Sequence, residues 1–355
     1  MYSLIFFCTC LSACRSGEET GITISWNGKR AIGITVPDRL VGEVNADSIA
    51  QLLTIRLAGQ EIAMAGDYQQ THRGIRFEPL VPFTRGRRYT IWLRNRPLCE
   101  LAIPALEADD KPRLLAIYPS PDTLPANLLK VYFRFSRPMR ESQSARYVAL
   151  LNANGDTLRD VFLDLQPELW NADRTMLTLW LDPGRIKRDL QPNKRLGAPL
   201  QLGDHYQLVV SANWPDALGA TLASSTTKLF RVSQRDSLSP DPDRWTIHLP
   251  KPETTQPLSL AFGEPLDYYL LTETLHVFSD GAAVPGTWQI GRNELVSTFT
   301  PTARWTAGQY RLRIENRLED RSGNNLNRLF DRDLTKTQRP TDGKSYRDVV
   351  FTIGN

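Results

Sequence analysis

The stretch Lys130-Val-Tyr-Phe-Arg-Phe-Ser-Arg-Pro-Met139 begins the pattern that determines the fold of this chain. Its apolar residues form a predicted strand, and Asn154-Gly155 downstream is a strong signal for a hairpin turn. A further strand stops at Asp182-Pro183, and Gly203-Asp-His-Tyr206 opens another. Short apolar runs between such turn signals predict an all-β module.

The same order of elements recurs later in the sequence. Phe262-Gly-Glu-Pro-Leu266 is followed by Asp280-Gly281, then by Thr300-Pro301 and Gly308-Gln-Tyr310. Nearer the N-terminus, Gly86-Arg-Arg-Tyr89 opens a strand of the same kind. Repetition of this type indicates tandem modules, and modules built only of strands usually bind, space or brace.

Two polar, proline-containing segments separate the modules. They are Ala108-Asp-Asp-Lys-Pro112 and Ser237-Leu-Ser-Pro-Asp-Pro-Asp243, and their composition is typical of exposed linkers. With a chain length of 355 residues, they predict tandem domains of β-sandwich size: residues 21–110, residues 111–236 and residues 244–355. Long loops are predicted at residues 184–201 and 331–346.

The charge of the chain is nearly balanced. There are 43 basic and 39 acidic residues spread along its length, for a formal net charge of +4. A nucleic-acid-binding surface would concentrate Lys and Arg on one stripe, so the sequence predicts no nucleic-acid partner. The 24 prolines and 22 glycines suit many turns better than long helices.

The first 14 residues are mostly apolar and end in Leu11-Ser-Ala-Cys14. This ending resembles the lipobox of bacterial lipoproteins, which implies that residues 1–14 hold a signal peptide and that the Cys14 thiol carries a diacylglycerol. Residues 15–20 are then a polar tether. A signal peptide ordinarily opens with Lys or Arg, and nothing before Cys14 is basic. An ordinary cleavable signal or a short buried strand is therefore the alternative, and the true start of translation stays open.

The other cysteines give a simple prediction. Cys8 and Cys10 would leave with the signal peptide, which leaves Cys99 in the folded protein. Internal disulfides cannot then hold the domains, so their cores must be stable through burial. Because Cys99 lies in an apolar strand, it is predicted to be a core residue.

The modules of residues 113–355 resemble the surface-layer-type bacterial Ig-like domain. The family pattern has a strand ending in Phe-Ser-x-Pro-Met, a Gly hairpin, a strand ending in Pro, Gly-x-x-Tyr, and Asp-x-x-Gly-Asn-x-Leu. The last element appears here as Asp216-Ala-Leu-Gly-Ala-Thr-Leu222 and Asp320-Arg-Ser-Gly-Asn-Asn-Leu326. The resemblance implies tandem antiparallel Ig-like β-sandwiches on an exported bacterial protein. The first module lacks this last element and departs from the pattern.

The polar residues of these elements are predicted to shape corners between strands. Asp and Asn bond their own backbone in turns, so Asp216, Asp320 and Asn324 are assigned to corners. Calcium ligation by Asp320 and Asn324 is the weaker alternative. One tyrosine in each module is expected to bond back across a loop: Tyr89, Tyr206 and Tyr310.

The sequence contains no recognised catalytic motif, phosphate loop or zinc-binding pattern. The histidines lack the i,i+4 spacing or the cysteine neighbours of a metal site: His72, His205, His248 and His276. The sequence therefore predicts no enzymatic activity, no metal and no cofactor.

Two tryptophans are the best candidates for contact with a partner. Strand alternation assigns Ile91 and Leu179 to buried faces, so their neighbours Trp92 and Trp180 are predicted to point away from their own cores. Outward aromatic rings either pack against a neighbouring module or loop, or bind a sugar or a protein.

These observations favour a non-enzymatic envelope lipoprotein that acts as a structural or protein-binding array of Ig-like modules. Its expected partners are the membrane, through the lipid on Cys14, and an envelope protein or glycan. The expected location is the outer membrane, the periplasm or the cell surface. A carbohydrate-binding surface lipoprotein that uses Trp92 and Trp180 is the alternative, and an accessory subunit of an envelope enzyme is the third hypothesis.

Overall fold

A computed structural model describes residues 21–42, 49–331 and 345–354 of the chain. The predicted signal peptide with Cys14, the tether at residues 15–20 and most of the loop predicted at residues 331–346 lie outside the described residues. Strands dominate the rest, as predicted, and they pair into six sheets. Among the described helices, none combines the length and the apolar character needed to cross a membrane.

One compact unit contains the described residues up to Pro112, together with Pro215–Ala223. Its strands are β1 (Thr23–Asn27), β2 (Arg30–Val36), β3 (Leu53–Leu57), β4 (Gly66–Thr71), β5 (Gly74–Pro79), β6 (Arg88–Leu93) and β7 (Arg96–Ala102). Two short helices, α1 (Asp38–Val41) and α2 (Ile49–Leu52), and a 3-10 turn at Ala108–Asp110 complete it. The sheets have the strand orders β1-β2-β5-β4 and β3-β6-β7, and all their pairs are antiparallel.

The two sheets of this first sandwich share one hydrophobic core. Ile34 and Phe77 come from one sheet, Ile55 and Ile91 come from the other, and all four are fully buried. Cys99 on β7 is buried in the same core, as predicted. Burial of alternate apolar residues therefore holds the two sheets together.

The other compact unit contains Arg113–Trp214 and Ser224–Asn355 and holds two sandwiches. The strands of the second sandwich are β8 (Leu114–Tyr118), β9 (Thr123–Pro125), β10 (Lys130–Phe135), β11 (Val148–Leu151), β12 (Leu169–Trp170), β13 (Met176–Trp180), β14 (His205–Val210) and β15 (Thr226–Ser233). Its helices are α3 (Ser144–Tyr147), α4 (Pro183–Ile186) and α5 (Gln191–Leu196). The last two lie in the segment that was predicted as a long loop.

The second sandwich departs from a purely antiparallel design at one strand pair. Its sheets have the orders β12-β13-β10-β8 and β11-β14-β15-β9, and β9 runs parallel to β15. Parallel neighbours need a long crossover connection. The whole chain between Pro125 and Thr226 provides it, which is why the sequence pattern of single strands gave no sign of this pairing.

The third sandwich is antiparallel throughout. Its strands are β16 (Thr246–His248), β17 (Leu258–Ala261), β18 (Leu275–Ser279), β19 (Ala282–Ala283), β20 (Gly286–Ile290), β21 (Val296–Pro301), β22 (Gly308–Glu315) and β23 (Tyr346–Ile353). The sheet orders are β16-β17-β21-β20 and β19-β18-β22-β23. A 3-10 turn at Pro242–Arg244 precedes β16, helix α6 (Tyr268–Glu273) lies between β17 and β18, and a second 3-10 turn at Arg292–Glu294 lies between β20 and β21.

The three corner tyrosines bond back across their loops, as the sequence predicts. The Tyr89 hydroxyl accepts a hydrogen bond from the backbone of Thr84 at 2.8 Å. Tyr206 makes the equivalent bond to the backbone N–H of residue 201 at 3.0 Å, and Tyr310 makes it to that of residue 306 at 3.1 Å. Each bond fixes the loop that precedes its strand, so the same local device recurs in all three sandwiches.

Candidate functional site

Trp92 lies on β6 and is half-buried, between the core residue Ile91 and the partly buried Leu93. The guanidinium carbon of Arg56, on the neighbouring strand β3, lies 4.5 Å from the centre of the Trp92 ring. The predicted alternation of the strand is therefore correct. The outward-facing Trp92 ring therefore contacts the Arg56 guanidinium of its own sandwich.

Trp180 lies on β13 and is also half-buried, and the flanking residues Leu179 and Leu181 belong to the core as predicted. The ammonium group of Lys130, its direct cross-strand partner on β10, lies 5.1 Å from the centre of the Trp180 ring. Lys130 in turn contacts the third sandwich. Trp180 therefore stands beside the junction of the second and third sandwiches.

Buried ion pairs join these two sandwiches. The Nζ atom of Lys130 lies 2.6 Å from Glu319 Oε2 and 3.5 Å from Asp267 Oδ2. The Tyr132 hydroxyl donates to the same Asp267 oxygen at 2.6 Å. Lys130 is 9% exposed and Asp267 is 3% exposed, so the pairs are largely shielded from water. We call Lys130, Tyr132, Asp267 and Glu319 the junction network.

The electrostatics of the junction network favour a charged lysine. Burial alone would lower the pKa of Lys130, but the carboxylates of Asp267 and Glu319 outweigh it and raise that pKa above its ordinary value. Asp267 has a second role, because its Oδ1 atom caps helix α6 by accepting from the Leu270 N–H. The network is thus anchored in the backbone of the third sandwich.

A second group of contacts also joins the second and third sandwiches. Glu294 is almost fully buried, and its carboxylate accepts the backbone N–H of Ser120 at 3.0 Å. The backbone N–H of Leu129 donates to the Arg321 carbonyl at 3.0 Å. Gly323 has a φ of +79°, and a Cβ atom there would lie 2.3 Å from a Leu129 methyl carbon. A side chain at position 323 would collide with the second sandwich.

Three carboxylates meet at this junction. Asp236 follows β15, Glu264 precedes α6 and Asp320 lies in the corner after β22, and their oxygens come within 4.8 Å of one another. Within the described part of the chain, Asp236, Glu264 and Asp320 form a group whose carboxylate oxygens would suit a divalent cation. The pKa values of Asp320 and Glu264 are each raised to about 7. Burial is the main cause, and the negative charge of Asp236 raises both pKa values further.

The corner residues behave as turn residues. Asp320 Oδ1 accepts the backbone N–H groups of Ser322 and Asn324, and Asp216 Oδ1 does the same for two N–H groups of its own turn. The Asn324 amide oxygen accepts from the Phe330 N–H, and its nitrogen donates to Asp320 Oδ2 at 2.7 Å. Asn324 therefore braces the corner. Calcium ligation by Asp320 and Asn324 stays a prediction.

The carboxylate pKa values predict a pH dependence of stability. Asp320 has an ordinary value of 3.8 and a folded value of about 7. The folded state therefore binds the proton more tightly, and the free energy of unfolding should fall as pH rises from about 4 to about 7. Asn cannot titrate, so Asp320→Asn should remove this contribution. Urea denaturation at pH 5 and pH 8 measures it. Asp280→Asn, at an exposed turn of the same sandwich, is the control, and equal pH slopes for wild type and Asp320→Asn would contradict the prediction.

The second sandwich also contains a cavity of about 380 Å³ between β11, β13 and the segment that connects β11 to β12. Leu150, Leu163 and Leu179 are among its lining residues. Glu168 at its rim is engaged, since its carboxylate accepts the N–H groups of Ser142 and Ser144 at 2.7 Å each. The rim carboxylate therefore holds the loop in place.

Sequence reasoning identified Trp92, Trp180, Asp320 and Asn324 but missed the junction network. Trp92 belongs to one compact unit, and the other three belong to the other unit. Lys130 is the member of the network that the sequence makes visible, at the start of the apolar strand β10. In that position a lysine is ordinarily interpreted as a charge that flanks the strand.

No protein-family model matches the sequence, and none of the curated proteins matches it. Among solved structures, the N-terminal part of the bacterial S-layer protein SbsC aligns with 58% of this chain at 12% identity and a TM-score of 0.24, and 41% of that protein is covered. This chain thus spans less than half of the SbsC fragment. The titin I-band fragment I67-I69 aligns with 74% of this chain, and 81% of that fragment is covered, at 11% identity and a TM-score of 0.19. The assignment of the fold rests on the strand pairing described above.

Proposed function

We propose that this protein is a non-enzymatic lipoprotein of the bacterial cell envelope whose Ig-like sandwiches act as a structural or protein-binding element. The junction between the second and third sandwiches is the observation that carries the proposal. Two sandwiches held by buried ion pairs and backbone bonds keep a fixed arrangement, and such a pair can space or brace its neighbours.

The engagement of the buried charges supports a non-catalytic role. Strongly buried titratable groups mark active sites when they face a cleft with their reactive atoms available. Here Lys130 and Asp267 bond to each other, and Glu294 bonds to the backbone of Ser120. Their charges are used to hold the fold.

The envelope location and the membrane partner rest on the sequence Leu11-Ser-Ala-Cys14. A lipid on Cys14 would hold the sandwiches at a membrane surface, where an envelope protein is the expected partner. One acyl group gives only marginal membrane binding, whereas a diacylglycerol supplies two chains and therefore stable anchoring.

Lipid labelling in the natural host tests this proposal. With the genomic upstream region kept in place, the protein should incorporate a labelled fatty acid and fractionate with membranes. Cys14→Ser should abolish both, because no thiol remains to carry the lipid. Cys10→Ser is the matched control and should label normally, since Cys10 leaves with the signal peptide. Normal labelling of Cys14→Ser would refute the lipoprotein assignment.

Carbohydrate binding at Trp92 and Trp180 stays the alternative function, and each of these rings already has one contact. Arg56 lies over the Trp92 ring and Lys130 lies over the Trp180 ring, so each ring already has an aromatic-to-cation contact within its own sandwich.

A further inference from the structure

A cleft of about 660 Å³ opens where the second and third sandwiches meet. Its volume falls within the range of about 300–1,000 Å³ that is usual for small-ligand sites. Tyr118 on β8 comes from the second sandwich, and Tyr268 and Tyr269 on α6 and Trp288 on β20 come from the third. Four aromatic side chains from both sandwiches therefore line one cleft.

The aromatic wall is held in place by packing. The Tyr118 and Tyr268 rings are stacked, with centroids 3.5 Å apart and an angle of 11° between their planes. Trp288 packs against the core residue Phe299, with ring centroids 5.1 Å apart. The Tyr269 hydroxyl bonds to Glu273, and that carboxylate is also paired with Arg317. A fixed aromatic surface can bind a ligand without first losing side-chain freedom.

Arg134 gives the lining of the cleft a positive charge. Within the described part of the chain, Arg134 is the charged side chain of the lining, and no carboxylate belongs to it. Arg134 is exposed on β10, and its guanidinium lies close to the Tyr268 hydroxyl. A guanidinium has five N–H donors, so most of them stay free for a ligand. Gln289 is exposed, and its amide has no hydrogen-bond partner among the described residues.

The remaining polar groups of the lining are already used by the fold. Asn171 accepts the N–H groups of Thr175 and Met176 and donates to the Thr175 hydroxyl. The Thr272 hydroxyl donates to the Tyr269 carbonyl. Of the lining side chains outside the aromatic wall, Arg134 and Gln289 therefore keep the most donor and acceptor capacity to recognise a ligand.

We propose that this cleft binds a carbohydrate that carries a carboxylate, such as an oligosaccharide with a uronic acid residue. Aromatic rings pack against the apolar C–H faces of sugar rings, while the Gln289 amide can both donate to and accept from sugar hydroxyls. The Arg134 guanidinium matches a carboxylate in shape and charge. This inference goes beyond the proposed envelope role and does not depend on the lipid at Cys14.

A proline-rich peptide is the other class of ligand that uses aromatic grooves. Such a peptide presents mostly apolar rings and backbone carbonyls, and it has no feature that requires the guanidinium. The combination of an unmatched cation and an amide with both donor and acceptor capacity favours the acidic sugar.

Calorimetric titration of the full-length chain tests the inference. The probes are a set of trisaccharides that contain glucuronic or galacturonic acid, and their neutral counterparts with glucose or galactose at the same position. At least one acidic trisaccharide should bind more tightly than its neutral counterpart. Arg134→Gln should weaken that binding by about ten- to hundredfold, the loss expected for a hydrogen bond to a charged group, and should remove the preference for the acid.

The control variant is Arg231→Gln, which changes an exposed arginine on β15 outside the cleft. It should bind all probes as the wild type does. Binding of neither acidic nor neutral sugars would overturn the inference, and so would an acidic preference that Arg134→Gln leaves unchanged. A proline-rich peptide that binds where no sugar does would instead identify a peptide groove.

Discussion

Replacement of Lys130 by Met is expected to lower the free energy of unfolding of the compact unit that holds the second and third sandwiches. The expected loss is about 3–5 kcal/mol, the usual cost of breaking a buried ion pair. Met keeps the apolar stem of the side chain but removes the ammonium group. Asp267 and Glu319 would then face each other without a cation, and Asp267 is 3% exposed. The loss comes from the carboxylates that remain unpaired rather than from lost packing.

Urea denaturation followed by tryptophan fluorescence measures this effect. Arg317→Met is the matched control, because Arg317 pairs with Glu315 and Glu273 on the surface of the third sandwich. Exposed pairs contribute at most about 1 kcal/mol, so the control should unfold almost as the wild type does. A loss for Lys130→Met no larger than that of the control would show that the junction network does not stabilise the unit.

The sequence predicts the strands well because their signals are local. Alternation identified the buried face of β6 from Tyr89 and Ile91, and each corner tyrosine lies near the start of its strand, four or five residues after the backbone N–H that it binds. Turn residues such as Asp320 bond to backbone groups only two and four residues away. Interactions of this range leave a trace in a short window of sequence.

The contacts of the outer tryptophans could not be predicted, because they depend on strand register. Arg56 on β3 is opposite Thr90, and Trp92 lies two residues further along the same face, which makes the pair diagonal neighbours. Lys130 lies directly opposite Trp180. A register is fixed by the pairing of two strands, and a single strand does not contain it.

The junction was beyond sequence reasoning for a related reason. Lys130 and Asp267 are 137 residues apart, and each has an ordinary local explanation. Lys130 reads as a charge at the start of a strand, and Asp267 reads as the cap of helix α6, which it also is. Its second carboxylate oxygen serves the other sandwich, and no local pattern reports this second role.

The core of the second sandwich gives the other large expected effect. Trp214 is fully buried, and its ring lies against those of Phe135, Tyr147 and Trp170, with centroids 5.2, 5.9 and 6.0 Å away. Trp214→Ala should lower the free energy of unfolding by about 3–5 kcal/mol, because it removes a large buried ring and leaves a cavity among these aromatic residues.

Trp214→Phe separates the two contributions of this side chain. The indole N–H of Trp214 is buried, and it has no hydrogen-bond partner among the described residues. A buried donor without a partner costs free energy, so Phe removes that cost while it keeps an aromatic ring in the core. Urea denaturation should therefore show a much smaller loss for Trp214→Phe than for Trp214→Ala. Equal losses for the two variants would mean that the indole nitrogen bonds to a group after all, and that this bond, rather than the volume of the ring, is what the second sandwich needs at position 214.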